Sequence, residues 1–149
     1  MEIIKNISAK ETFLVRHPVL RTGKPIESCA FDGDDLKTTV HFGYFKDEKL
    51  IGVVSLFYNN NNTTFINPNQ FQIRGMAILP EFQNHGFGKK LVNHCENYIQ
   101  NQKDLLIWFN ARENAISFYE KLHYKKTGDP FLIADIGLHY LMKKEIDSP

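Results

Sequence analysis

The stretch QNHGFGKK, residues 83–90, sets two glycines and two lysines directly ahead of an amphipathic run. Where a glycine turn opens a helix, the first-turn N–H groups have no intrahelical partner and the helix dipole adds partial positive charge. Glycine removes the Cβ atoms that would hold a pyrophosphate away from those groups, and Lys89 and Lys90 add charge nearby. Gly86 and Gly88 suit a plain tight turn equally well, and the local pattern does not separate the two. No glycine follows Gly88 by three residues, which counts against a dinucleotide-binding fingerprint. Neither glycine stands in a P-loop frame, because Lys89 is followed by Lys90. What remains is Q-x-x-G-x-G after an apolar segment that ends in RGMAIL.

The other chemistry-bearing residues are scattered. Arg21, Arg74 and Arg112 fall on a loop, a strand and a helix start, and each alone suits a surface or ion-paired position. Tyr119 on a helix and His139 in a strand suit core positions as well as proton transfer. No two histidines have metal-ligand spacing, so no metal is assigned. Cys29 and Cys95 form no CxxC pair, so neither a disulfide framework nor a zinc site is favoured. Cys95 sits on an apolar helix face and Cys29 in a loop, which argues against a cysteine acyl-enzyme.

The elements that must position these residues follow from periodicity. EIIKNI reads as a strand, and Ser8 three residues before Glu11 forms a capping box that opens a helix, ended or kinked by Pro18. TTVHFGYF and KLIGVVSLFY form a hairpin around KDE. NNNNTTFINPN, residues 59–69, reads as a mobile loop without a core of its own. QFQIRGMAIL is the next strand, with Gly75 marking a bulge or a close backbone approach. KKLVNHCENYIQNQ is a helix with Leu91, Val92, Cys95, Tyr98 and Ile99 on one face. DLLIWFN is a buried strand, ENAISFYEKLHY a second amphipathic helix, and FLIADIGLHYLMKKE holds the closing strand. With no repeat or linker, residues 1–149 read as a single α/β domain around a mixed sheet.

Bulk composition excludes several classes. A 42% hydrophobic and 23% charged chain of 149 residues suits one globular domain with a real core. Eighteen basic against seventeen acidic residues, a formal charge of +1, argue against nucleic acid as a partner. The N-terminus lacks the apolar centre of a signal peptide and no run reaches membrane-span length, so no membrane partner and a cytoplasmic location are expected.

QNHGFG resembles the Q/R-x-x-G-x-G/A pyrophosphate loop of the GNAT acetyltransferases, and NAISFYEKLHY resembles their A-x-x-F/L-Y-x-x-x-G-F segment about thirty residues on. His123 stands where that segment usually has glycine, and Arg112 where the superfamily often has asparagine. ETFLVRHPVLRTGKPIESC, QIRGMAIL, FNARENAISFY and IGLHYLMKK together resemble the glyphosate N-acetyltransferase branch, whereas FLIADIG differs from it.

The resemblance implies a GNAT fold, a mixed central sheet flanked by helices whose two parallel strands splay to admit acetyl-CoA. It implies backbone pairing of the pantetheine with Met76, Ala77 and Ile78. The pyrophosphate falls to Gln83, Asn84, His85, Gly86, Phe87, Gly88 and Lys89, and Asn110 joins the cofactor contacts. A free N–H at the Gly75–Met76 irregularity would polarise the thioester carbonyl. Tyr119 is implied as general acid and His139 as base, histidine being the side chain that changes charge near neutral pH. Arg21, Arg74, Arg112 and His139 would line the acceptor pocket, where guanidinium groups hold a phosphonate or carboxylate.

The expected activity is therefore direct acetyl transfer, in a ternary complex, to a small anionic amine such as an acidic amino acid or an aminophosphonate. Protein or peptide N-acetylation and a non-catalytic acyl-CoA sensor are the alternatives. A monomer or a homodimer is expected.

Overall fold

A computed structural model describes residues 1–146; residues 147–149, included in the single-domain expectation, lie outside them. The elements are β1 (Glu2–Ile7), α1 (Ala9–Leu20), β2 (Val40–Lys46), β3 (Lys49–Tyr58), β4 (Asn69–Ile78), α2 (Phe87–Ile99), β5 (Leu105–Arg112), α3 (Ile116–Lys121), β6 (Lys125–Ile133) and β7 (Gly137–Ile146). The strands form a seven-stranded mixed sheet in the order β1-β2-β3-β4-β5-β7-β6. β4 and β5 are the parallel pair, registered from Asn69↔Leu105 to Gln72↔Trp108. This is the GNAT fold.

The chain forms two compact units, one of Met1–Tyr58 with Ile73–Ile99, the other of Asn59–Gln72 with Gln100–Pro149. In the first, α1 begins as its sequence dictates. Ser8 Oγ accepts from the Glu11 N–H at 3.2 Å and the Ser8 N–H donates to Glu11 Oε1 at 2.9 Å. The helix does not stop at Pro18 but runs on to Leu20. Proline forfeits one i→i−4 bond there, and the Arg21 N–H, which reaches the Arg16 and His17 carbonyls at 3.1 Å, closes the last turn. β2 and β3 form the expected hairpin, its turn carried by Asp47 and Glu48 at φ 48 and 71. Val15 of α1, Val53 of β3 and Ala77 of β4 form one core cluster, with Ile7, Leu50 and Leu79 packed against it. α2 starts at Phe87, two residues before the sequence suggests, and buries Phe87, Leu91, Val92, Cys95 and Ile99. Tyr98 is instead 53% exposed, turning only one ring edge to Phe42.

The second unit departs further from its sequence reading. The asparagine-rich segment is pinned, because Phe65 enters a core with Leu106 and Trp108. The wholly buried Gln70 accepts from the Asn61 N–H at 2.6 Å and donates to the Asn67 carbonyl at 3.0 Å, and the Trp108 indole donates to the Asn59 carbonyl at 2.9 Å. The helix expected from residue 113 shrinks to a 3-10 turn, Glu113–Ala115, and the six-residue α3, so Arg112 ends a strand rather than starting a helix. FLIADIGLHYLMKKE holds the closing strand, β7, as expected, together with the end of β6; the two form a hairpin whose register shifts between Thr127 and Phe131 around Gly128.

Candidate active site

The glycine turn of the first unit is built from β4 outward. After Ile78 the chain makes the 3-10 turn Pro80–Phe82, and the Gln83 side chain donates back to the Ile78 carbonyl at 2.9 Å. Gln83 therefore ties the turn to the strand end. Asn84 and Gly86 adopt φ 64 and 86, and a Cβ at Gly86 would meet nothing within 4 Å, so backbone conformation rather than crowding calls for glycine there. The Lys90 N–H bonds the Gly86 carbonyl at 3.3 Å, so the N–H groups of Phe87, Gly88 and Lys89 precede the first intrahelical bond. The buried Phe87 ring, 4.8 Å from that of Tyr44, anchors this end. His85 and Lys89 are exposed. Lys90 is drawn toward Glu2 at 3.5 Å and the Tyr44 hydroxyl at 3.4 Å, while Lys46 and Lys49 bring further positive charge to the Phe82 and Phe87 rings of the turn.

Arg21 and Arg74 come together in the same unit, through a residue the sequence did not single out. The Phe31 ring lies 4.8 Å from the Arg74 guanidinium, 5.9 Å from that of Arg21 and 3.9 Å from that of Arg16. Arg74 also stacks on Phe57 at 5.3 Å, and its Nη1 donates to the Asp32 carbonyl at 3.4 Å. Burial pushes its pKa down, as do the charges of Arg16 and Arg21, against the opposing carboxylates of Asp34 and Asp32. Among the described residues neither Arg21 nor Arg74 forms a salt bridge, whereas Arg16 is paired with Asp34 at 2.7 Å. One arginine of the three is neutralised and two remain.

Gly75, on β4 beside Arg74, adopts φ 64, and a Cβ there would lie 2.9 Å from the Phe31 ring and 3.1 Å from Arg16 Nε. The close approach read from the sequence is thus present, and its partners are named. Met76 and Ile78 are half-buried and Ala77 buried on the same strand.

In the second unit Arg112 and His139 are register partners across β5 and β7. His139 is 5% exposed, and its Nδ1 lies 2.9 Å from the Gly137 carbonyl. A carbonyl only accepts, so Nδ1 carries the hydrogen and Nε2 keeps its lone pair. Phe131 faces the His139 ring at 6.0 Å, which makes the FLIADIG segment part of this surrounding. Tyr119 is 8% exposed, its ring 4.3 Å from Phe109 and 6.1 Å from Tyr124. Phe118 beside it is half-buried, and Asn110 is exposed near the end of β5. Among the described residues no group of three or more His, Cys, Asp or Glu is placed to hold a metal. No helix is long and apolar enough to cross a membrane.

Burial raises the thiol pKa of Cys95 far above its usual range, and that of Cys29 is raised by burial too, against the charges of Arg16 and Arg21. Thiolate chemistry is correspondingly disfavoured at both.

A mixed sheet that delivers a strand through a glycine turn into an open helix start defines an α/β protein with a turn suited to an anionic group. Residues 6–124 match the model of the acetyltransferase (GNAT) family. The chain is 32% identical over 143 residues to the uncharacterized N-acetyltransferase YitI of Bacillus subtilis (strain 168), covering 96% of this chain and 95% of that one. Its fold is similar to that of a putative N-acetyltransferase from Lactobacillus plantarum, with TM-score 0.77 at 17% identity over 97% of this chain and 98% of the other. It is also similar to an aminoglycoside 6'-N-acetyltransferase complexed with coenzyme A, with TM-score 0.74 at 14% identity over 97% of each. The chain belongs to the acetyltransferase (GNAT) family, and it is an N-acetyltransferase of the acetyl-CoA-dependent type.

Proposed function

We propose that the chain acts as one acetyltransferase domain that acetylates a small anionic amine, an acidic amino acid or an aminophosphonate, in the manner of the glyphosate N-acetyltransferase branch. The observation that carries this is the pair of guanidinium groups, Arg21 and Arg74, gathered at one aromatic ring with no salt-bridge partner among the described residues. Unneutralised, partly desolvated arginines favour a ligand that brings its own negative charge, and two of them match a dianion. Arg112 is the third member by its match to the branch. A peptide or polyamine acceptor would arrive with a charge these residues repel.

Acetyl-CoA supplies the acetyl thioester. The turn fits its pyrophosphate, since Gly86 turns the chain at positive φ into a helix start whose first N–H groups have no intrahelical partner. Gln83 shapes that cradle through the Ile78 carbonyl, and Asn84, His85, Gly86, Phe87, Gly88 and Lys89 line it. The backbone of Met76, Ala77 and Ile78 takes the pantetheine, with Asn110 as a further contact. His139 receives the amine proton at Nε2, the N–H following Gly75 faces the developing oxyanion, and Tyr119 returns a proton to the leaving sulfur.

The test is thiol release from acetyl-CoA against acidic amino acids, aminophosphonates, glyphosate, polyamines and a peptide with a free N-terminus, with Arg74→Ala alongside. Turnover restricted to the acidic acceptors and lost in the variant is expected. Turnover with polyamine or peptide would overturn the acceptor assignment.

A further inference from the structure

Arg16 is wholly buried on α1, yet no step above uses it. Its Nη1 donates to the Cys29 carbonyl at 2.8 Å and to Asp34 Oδ2 at 2.7 Å; its Nη2 donates to Asp34 Oδ1 at 3.1 Å and to Ser55 Oγ at 2.9 Å. The direction of the remaining bonds is then fixed. Guanidinium only donates, so Ser55 Oγ accepts from it; the Asp34 carbonyl only accepts, so His41 Nε2 carries the hydrogen and, in the neutral ring, Nδ1 takes the Ser55 hydroxyl hydrogen at 2.6 Å. His41 Nε2 donates to the Asp34 carbonyl at 2.9 Å, which returns the chain to its start. Arg16, Ser55, His41 and Asp34 thus form a closed ring of bonds.

Two atoms connect this ring to β4. Asp34 Oδ2 accepts from the Phe31 N–H at 2.9 Å, which sets the ring on which Arg74 stacks. Arg16 Nε is buried with no partner, and it is 3.1 Å from where a Gly75 Cβ would stand. An unpartnered buried donor is costly, and it occupies the space on the side of Gly75 where a Cβ would project. We propose that Arg16, locked by Asp34, Ser55 and the Cys29 carbonyl, is a positioning residue for acetyl transfer: it holds Gly75 at positive φ, and through Phe31 it places Arg74. This rests on the role given above to the N–H following Gly75.

The guanidinium is rigid because both Nη groups are bonded, and its plane stacks on Phe31 at 3.9 Å. A lysine would keep the charge but lose the fork and the plane, so the strand could relax at Gly75. Ser55→Ala removes one of the bonds and leaves the ion pair intact, which supplies a milder variant should Arg16→Lys fail to fold.

Two readouts test the proposal. In isotopically labelled protein, Arg16→Lys should displace the backbone resonances of Gly75 and Met76 while those of Gly23 and Gly128 stay in place, with Ser55→Ala moving the same signals less. In the acetylation assay kcat should fall at least about 10-fold with KM for acetyl-CoA changed less than about twofold, because a small misplacement of a catalytic dipole costs rate rather than donor binding. Unmoved Gly75 and Met76 resonances in a folded variant would overturn the proposal, as would a loss confined to KM for acetyl-CoA. The resonance measurement needs no acceptor. A wild-type chain that acetylates no amine would therefore sink the functional assignment while the Gly75 signals still decide the role of Arg16.

Discussion

Arg112 and His139 stand directly opposite one another across the antiparallel pair β5–β7, and the imidazole is turned so that Nδ1 meets the Gly137 carbonyl at 2.9 Å. The strand pairing fixes both side chains on rigid backbone, and the bond to Gly137 fixes which nitrogen remains basic. His139→Ala should lower kcat on the order of 10²-fold, the range for loss of a general base, with KM for acetyl-CoA little changed. Steady-state kinetics with varied acetyl-CoA check it. An unchanged kcat would remove His139 from the mechanism.

Arg74 is held between Phe31 and Phe57, at 4.8 and 5.3 Å, so its fork is ordered before any ligand arrives. Arg74→Lys keeps the charge but loses stacking and bidentate donation. KM for an anionic acceptor should rise roughly 10-fold or more, the loss of one charged hydrogen bond, while a neutral amine, used as a poor substrate, should be affected far less. Equal effects on both would show that the charge of the acceptor is not what Arg74 reads.

Gly86 sits at φ 86 with open space where a Cβ would project. Gly86→Ala should therefore cost about 1–2 kcal/mol from the left-handed backbone alone, and it should weaken acetyl-CoA binding as the cradle shifts. Calorimetric titration with coenzyme A, set beside a thermal melt, separates the two. Lost stability with intact affinity would show that the turn is only a turn.

Both thiols are buried, and burial raises the pKa of each. Treatment of the native chain with iodoacetamide should leave it unmodified and active, and a Cys29→Ala, Cys95→Ala double variant should retain transfer. Isolation of an acetyl-cysteine adduct on brief incubation with acetyl-CoA would refute direct transfer.

Asp34 is the buried carboxylate through which the first unit senses acid. Burial pushes its carboxyl pKa up, but the Arg16 hydrogen bonds, the Phe31 N–H and the charges of Arg16 and His41 outweigh that, and the result lies below the usual value. A depressed carboxyl contributes its stability fully above the unfolded-state pKa, about 3.9, and loses it as pH falls through the folded value. His94, whose pKa burial lowers, adds to the same trend, because protonation then favours the unfolded chain. The melting temperature should fall as pH drops toward and below about 4, and Asp34→Asn should flatten the carboxyl part of that fall while lowering stability at neutral pH. Breaking one side of a buried pair costs about 3–5 kcal/mol. A variant with wild-type acid behaviour would remove Asp34 from this role.

Local chemistry was legible without coordinates wherever the determinant lay within a few residues. The Ser8–Glu11 capping box, the hairpin at Asp47 and Glu48, the irregularity at Gly75 and the glycine turn at residues 83–88 all follow from short-range sterics and hydrogen bonding. The sequence also carried the family, because two motifs at a fixed separation constrain one another. It misjudged the segments whose fate depends on distant partners. Phe65 pins an asparagine run because Trp108 and Leu106 receive it, and the helix expected from residue 113 shortened to a 3-10 turn and the six-residue α3.

The site divides along the same line. The resemblance to the glyphosate N-acetyltransferase branch named Arg21, Arg74, Arg112, Tyr119 and His139 as candidates, but not Phe31, Arg16 or Asp34. FDGDD reads as turn residues, and one arginine in LVRHPVL reads as a polar position on an amphipathic helix. Only the fold brings residues 16, 34, 41 and 55 into one ring of bonds and sets it against Gly75. A buried charge is specified by its partners, and partners separated by tens of residues leave no periodic trace in the chain.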